Sequence, residues 1–548
     1  MRVLFLIFIC SLVFLGAHLF AEVRLPAIFG DHMVLQQETG APIWGWADPG
    51  ESITVSGSWG TQTTARGNAE GKWMAFLSTP THGGPFSVEV RGDNRIQLEN
   101  VLIGEVWLCA GQSNMGWRLS ATRHGPEAAQ AADFPGIRIF RSERSHSHEP
   151  KDDVVAEWKV CDPDSAATCS AVTFYFARKL HKELGVPIGV VLQPYAGTPI
   201  EGWMPKEIQL GDPPTLRAVQ EADAESAKYD LAKAQAQLER ATEAWKHGER
   251  RGQPKLRTPA NRGHQYPGNI FNGMIHPVRP FGIRGAIWYQ GERNAKDVAQ
   301  AANYERQLSL LINYYRSSWH ELSRGNVSVG FPFYFVQLPS WLADQTEPVE
   351  SDAAWAVSRD MMRRVANSVP NTGTAVSMDT GDAILLHPTD KKPIGIRLAY
   401  LALKQTYKKE FVDYGPRYRS HRVDGNRIVL EFDSIGSGMV AGRDWPLDSF
   451  AIAGEDCRFH WAEATISGNK LIVSSPQVLN PVAVRYAWAM NPSKRNLLYN
   501  REGIPASPFR TDDWPLYDEN DYVPASQEKP VKPDGYEQAE VSLPVMTQ

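Results

Sequence analysis

The sequence predicts an α/β protein: a three-layer αβα domain on a parallel sheet, flanked by N- and C-terminal small β domains and carrying a helical insertion. Three observations predict it. The apolar run from Val101 to Ala110 stops abruptly at Gly111-Gln112-Ser113-Asn114, as a buried parallel strand does at its carboxyl end. Similar runs recur at 186–192, 283–289, 333–338 and 374–378, separated by segments of helical spacing. On either side of this region the texture changes to short apolar runs bounded by glycine and proline turns.

Bulk properties narrow the function classes. A chain of 548 residues has room for more than one domain, and its net charge of −5 leaves no basic field for nucleic acid or an anionic membrane. Met1-Arg2 followed by the apolar run Val3 to Phe20 and Leu19-Phe20-Ala21 has the form of a secretory signal over residues 1–21. That predicts a secreted or periplasmic protein, with an uncleaved anchor as the alternative. Export permits disulfides, yet there are only five cysteines. Cys10 leaves with the signal, Cys109 lies in the buried run, and Cys457 has no obvious mate. Cys161 and Cys169 are near enough in sequence to bridge. Asn326-Val327-Ser328 is an acceptor sequon wherever the host glycosylates.

Taken in order, residues 22–100 read as an N-terminal β domain. Ala41 to Trp46, Ser52 to Ser56, Lys72 to Leu77 and Phe86 to Val90 are strand-length runs, with Asp48-Pro49-Gly50 and His82-Gly83-Gly84 as turns. The αβα domain spans 101–410. Within it, Ala171 to Leu184 has helical spacing and stops at Gly185. The insertion occupies about 206–263, where Leu231, Leu238 and Trp245 recur at heptad spacing, as in a helical hairpin or short coiled segment. An arm over a cleft and a structural spacer are equal readings of it. A C-terminal β domain over 411–514 is marked by Arg427 to Phe432 after an Asp424-Gly425 turn, then Leu471 to Ser474 and Pro481 to Trp488. Residues 515–548 form a polar, proline-rich tail.

In a doubly wound sheet a site forms beyond the carboxyl ends of the strands. Three such ends carry glycine beside a polar residue: Gly111-Gln112-Ser113, Gly197-Thr198 and Gln290-Gly291. Acyl transfer needs a nucleophilic oxygen, a base, a group orienting the base, and donors for the developing oxyanion. Ser113 suits the first role, with a helix N-cap as its structural alternative. The backbone N–H groups of Ser113 and Gly197 and the Gln290 side-chain amide are candidate oxyanion donors. His387, in a loop after the 374–378 strand and fixed by Pro388, is the candidate base; His276 is its rival. His146 and His148 have no partners at metal-ligand spacing and read as a solvated loop, so no metal is expected.

At these residues the sequence resembles the sialate O-acetylesterase family of SGNH (GDSL-like) hydrolases. The likeness lies in Gly111-Gln-Ser-Asn-Met115, Trp288-Tyr-Gln-Gly-Glu292, His387-Pro388 and Gly395-Ile-Arg-Leu-Ala399. It extends through Phe29 to Gln36, Gly197 to Trp203, Phe271 to Pro277 and Gly503 to Arg510, over nearly the whole mature chain. The resemblance implies an SGNH-type fold and a serine esterase that removes O-acetyl groups from sugars without metal or other cofactor. It carries the nucleophile role to Ser113, the base role to His387 and the oxyanion roles to Ser113, Gly197 and Gln290. Asn114, Glu292 and Arg293 become candidate substrate contacts. The sequence departs from the pattern at two places. Many SGNH hydrolases carry Asp three residues before the histidine, where this chain has Ile384. Asp382 is then the candidate to orient the imidazole, with a backbone carbonyl, and hence a Ser–His dyad, as the alternative. Arg293 stands where the family usually has a small residue, and a surface salt bridge is the plainer reading of it.

The Gly-x-Ser-x-Met context lacks the second glycine of the α/β-hydrolase elbow and argues against a lipase of that kind. The same residues serve acetylated sialate or an acetylated polysaccharide such as xylan. A non-catalytic glycan-binding protein on a decayed hydrolase fold is the competing class, against which the presence of Ser113, Gln290 and His387 together argues.

Overall fold

A computed structural model describes residues 22–249, 252–443, 446–492 and 495–517. The expected signal and most of the expected tail lie outside the described residues. The centre is a twisted sheet of seven strands: β1 (Arg95–Gly111), β2 (Phe134–Arg141), β3 (Trp158–Cys161), β4 (Ile188–Pro194), β5 (Gly285–Tyr289), β6 (Phe333–Val336) and β7 (Thr372–Ala375). Their order is β7-β6-β5-β1-β4-β2-β3, parallel throughout except for β3, which runs antiparallel at one edge. The chain builds one wing first, then crosses β1 to build the other. The flanks of β1 are therefore the switch point where such sheets place ligands.

Strand alternation gives β1 two buried faces. Val106, Leu108 and Ala110 point into one apolar core, and Trp107 and Cys109 into another. The second core is closed by helix α2 (Ala171–Leu184), which starts at Ser170, whose hydroxyl accepts from Thr173 N at 3.1 Å, and stops at Gly185. The insertion between β4 and β5 carries α3 (Pro213–Ala227) and α4 (Leu231–Lys246). Its heptad residues do not close a buried seam: Leu231 and Trp245 are 51% and 38% exposed. On the other wing, α5 (Val298–Leu322) packs over β5 and β6 through Tyr304 and Tyr315, α6 (Ala354–Ser368) packs on α5 and against β7, and α7 (Lys392–Leu401) lies against α2.

The N-terminal strands join this body through β1 itself. Its first half pairs antiparallel with Gly83–Arg91 and its second half runs into the parallel sheet, with Val34–Gln36 parallel beside it. Val34, Val55 and Val106 accordingly share one core. At the other end, the hairpin Arg417–Asp424/Arg427–Asp433 turns at Gly425, as the Asp-Gly signal predicts. With the strands after it, this hairpin encloses a third core that takes in Val376 and Met378 from the end of β7. Cys161 and Cys169 are not bonded to each other, and burial raises both thiols above their ordinary range. Among the described residues no helix is long and apolar enough to cross a membrane.

Candidate active site

The end of β1 is gripped from both sides. Gln112 N donates to Tyr289 O of β5 and Tyr195 N, just past β4, donates to Gly111 O, both at 2.9 Å. Gly111 has φ +144°, and a Cβ there would lie 2.2 Å from Tyr289 O, so only glycine lets the strand end approach so closely. Helix α1 (Ser113–Gly116) follows, with Gln112 as its cap. The capping alternative for Ser113 thus fails: Ser113 is the first helical residue, and its hydroxyl is released from backbone duty. Its Oγ lies 2.9 Å from His387 Nε2, across 274 residues of chain. Its N–H, at the first position of the helix, has no intrahelical acceptor.

His387 sits in the loop between β7 and α7. Its ring stacks on Trp117, with centroids 4.5 Å apart and planes 17° apart. Burial, reinforced by the Lys391 cation, pushes its pKa down to about 3, so the imidazole is held neutral and able to accept a proton. Its Nδ1 is shut off from solvent and has no hydrogen-bond partner among the described residues.

The expectation that Asp382 orients this ring is corrected. The Asp382 carboxylate accepts from Ile384 N and Leu385 N at 2.8 and 2.9 Å, and its own N–H donates to Ser340 O. Two residues from its own position it is worth more closing the loop than reaching an imidazole five residues on. Among the described residues neither a carboxylate nor a carbonyl meets Nδ1; the flat face of Trp117 packs on the ring.

Gln290 is the second correction. Both hydrogens of its amide are committed, to Thr198 O at 3.0 Å and Asn294 Oδ1 at 2.8 Å, and its oxygen accepts from the Tyr304 hydroxyl at 2.7 Å. Fully buried, it has no donor left for an oxyanion. At φ +70° Gly197 turns the chain after β4, and its N–H has no partner among the described residues.

Asn114 and Glu292 do not present themselves to a substrate either. Asn114 is fully buried and donates to Glu292 Oε1 at 2.5 Å and to Leu386 O at 3.3 Å, while its own Oδ1 accepts from Lys391 Nζ. Arg293 makes no salt bridge among the described residues: its guanidinium donates to Gln265 Oε1 at 2.9 Å, and Gln265 in turn donates to Gly197 O at 3.3 Å. The rival base His276 is turned toward Arg279, 2.8 Å away. His146 meets the Tyr195 hydroxyl at 3.1 Å, and no three metal-ligating side chains cluster among the described residues.

Two residues at the site went unread in the sequence. Trp117 lies four residues after Ser113, one helical turn on, and Lys391 lies four residues after His387. Spacing was the available signal, but a tryptophan and a lysine at such distances from any residue are too common to carry it.

No family model matches the sequence. Curated sialate O-acetylesterases do: that of Mus musculus is 28% identical over 524 residues, covering 89% of this chain and 94% of the relative. The Homo sapiens protein is 27% identical over 522 residues, covering 89% and 92%. A solved carbohydrate acetylesterase from Xanthomonas citri is 34% identical, covers 90% of this chain and 100% of its own, and superposes with a TM-score of 0.75. With a hydroxyl and an imidazole in contact at the switch point, and relatives matching from end to end, the chain belongs to the carbohydrate acetylesterases, carboxylic ester hydrolases, and is similar over its length to the sialate O-acetylesterases.

Proposed function

We propose that this protein is an exported esterase that removes O-acetyl groups from carbohydrates through an acetyl-Ser113 intermediate. The observation that carries the reading is the 2.9 Å contact between Ser113 Oγ and His387 Nε2 at the carboxyl ends of a parallel sheet. Export rests on the apolar Val3 to Phe20 run behind Met1-Arg2.

In the first step His387 Nε2 takes the Ser113 proton as Oγ attacks the acetyl carbon. The carbonyl oxygen becomes an oxyanion between the N–H groups of Ser113 and Gly197, each such donor being worth about 3–4 kcal/mol in the transition state. Collapse breaks the bond to the sugar oxygen, which leaves with the proton from the imidazolium. Water then attacks acetyl-Ser113 by the same route and releases acetate. The imidazolium that forms twice in each cycle has no carboxylate at Nδ1. The Trp117 face at 4.5 Å stabilises it as a cation on a π surface, by about 1–2 kcal/mol. Arg293 is the residue proposed to meet the sugar, since Gln265 ties its guanidinium to the carbonyl of Gly197.

The substrate class comes from the named relatives: acetylated sialate first, and a neutral acetylated polysaccharide such as acetyl-xylan second, because the Xanthomonas citri relative is named for carbohydrate generally. Acetate released from both substrates by the wild type and by Ser113→Ala tests the reading. We expect turnover of at least one by the wild type and a fall of about 10⁴-fold or more in the variant. No serine-dependent release from any acetylated sugar or from 4-nitrophenyl acetate would return the chain to the glycan-binding class.

A further inference from the structure

Beneath the Ser113–His387 pair lies a buried polar chain that the reaction above does not use. Lys391, 1% exposed, points its ammonium at Asn114 Oδ1, and Asn114 Nδ2 donates to Glu292 Oε1. The amide thus lies with its oxygen toward a cation and its nitrogen toward a carboxylate, the one orientation that satisfies both. The three residues come from three different strand ends: Asn114 follows the nucleophile, Glu292 ends the turn after β5, and Lys391 closes the histidine loop. Asn114 also holds Leu386 O, next to His387.

We propose that Lys391 is a positioning residue for the esterase reaction: its ammonium locks the nucleophile turn to the histidine loop through Asn114 and keeps positive charge beside the catalytic imidazole. The inference rests on the esterase reading. The groups facing the ammonium are Glu292 and the Tyr289 ring (centroid at 5.4 Å) from the β5 end, and His387 and Asp390 from its own loop. Asp390 in turn faces Arg123, 3.6 Å away. Burial draws Lys391 down to about 7, so it carries its charge in the acid range where His387 would otherwise protonate. A cation there opposes a second cation on the ring. Without it, the imidazole protonates at higher pH.

The test is the pH dependence of kcat/KM for 4-nitrophenyl acetate with wild type, Lys391→Met and Lys391→Arg. The acid limb is expected to move up by about one pH unit or more in Lys391→Met. In Lys391→Arg, which keeps the charge but not the shape, kcat should fall while the acid limb stays. If Lys391→Met does not fold, Glu292→Gln/Lys391→Met, which removes both buried charges, carries the same measurement. An acid limb that stays in place in the methionine variant overturns the proposal even if activity drops, because a purely structural lysine would lower kcat at every pH. Loss of serine-dependent turnover in the wild type would instead sink the esterase reading itself.

Discussion

Two turns flank the nucleophile, and they look alike in sequence but do opposite things. The turn after β4 leaves the Gly197 N–H without a partner among the described residues. The turn after β5 directs its polar groups inward: Gln290 to Thr198, Asn294 and Tyr304, and Asn294 to Ile200 N and to Glu201 Oε2. Its partners explain the difference. Tyr304 hangs from α5 over the β5 turn and its hydroxyl donates to Gln290, whereas Gly197 is exposed. One turn leaves a backbone donor free and the other buttresses it, since Gln290 grips the carbonyl of Thr198, the residue next to Gly197. A glycine beside a polar residue at a strand end therefore marks a site without saying which side of it the polar group serves.

Substitutions can break that comparison. Gly197→Ala has the largest expected effect: the φ of +70° strains alanine and displaces the free donor, lowering kcat for an acetyl ester by about 10²-fold with little change in KM. A variant as active as the wild type would remove Gly197 from the oxyanion role. Gln290→Ala comes next and should act mainly on stability. It strands Thr198 O in the interior and takes one of two donors from Asn294 Oδ1, destabilising by about 2 kcal/mol in a denaturant melt and lowering kcat only about tenfold through the loosened Gly197 loop. If kcat fell a hundredfold with an unchanged melt, Gln290 would be a donor after all and the two turns would be equivalent. The smallest effect belongs to Asp382→Asn, which keeps an oxygen for Ile384 N and Leu385 N; its kcat/KM should stay within about threefold of wild type. A 10⁴-fold loss, the size known for removing the acid of a serine triad, would restore Asp382 to the site.

Much of the architecture could be read before any coordinates. Apolar runs ending at glycine mapped onto β1, β4 and β5; Ser170 and Gly185 bracket α2; the Asp424-Gly425 turn made its hairpin. These are short-range matters, in which a residue's own φ, side-chain reach or burial settles the outcome. The meeting of Ser113 and His387 was legible as well, because strand ends in a parallel sheet converge whatever their separation along the chain. Asp382 was misread for a local reason. A carboxylate two residues before a free N–H closes on the backbone first, and only the folded loop reveals that choice.

Composition, strand pattern and the position of one serine were thus settled by the chain alone, since burial and backbone preference act within a few residues. The allotment of polar hydrogens was decided by the fold. Gln290 finds Thr198 across 92 residues, Asn114 finds Glu292 across 178, and Lys391 finds Asn114 across 277. A buried amide must satisfy itself with whatever the interior brings within 3 Å, and no stretch of sequence contains that neighbour.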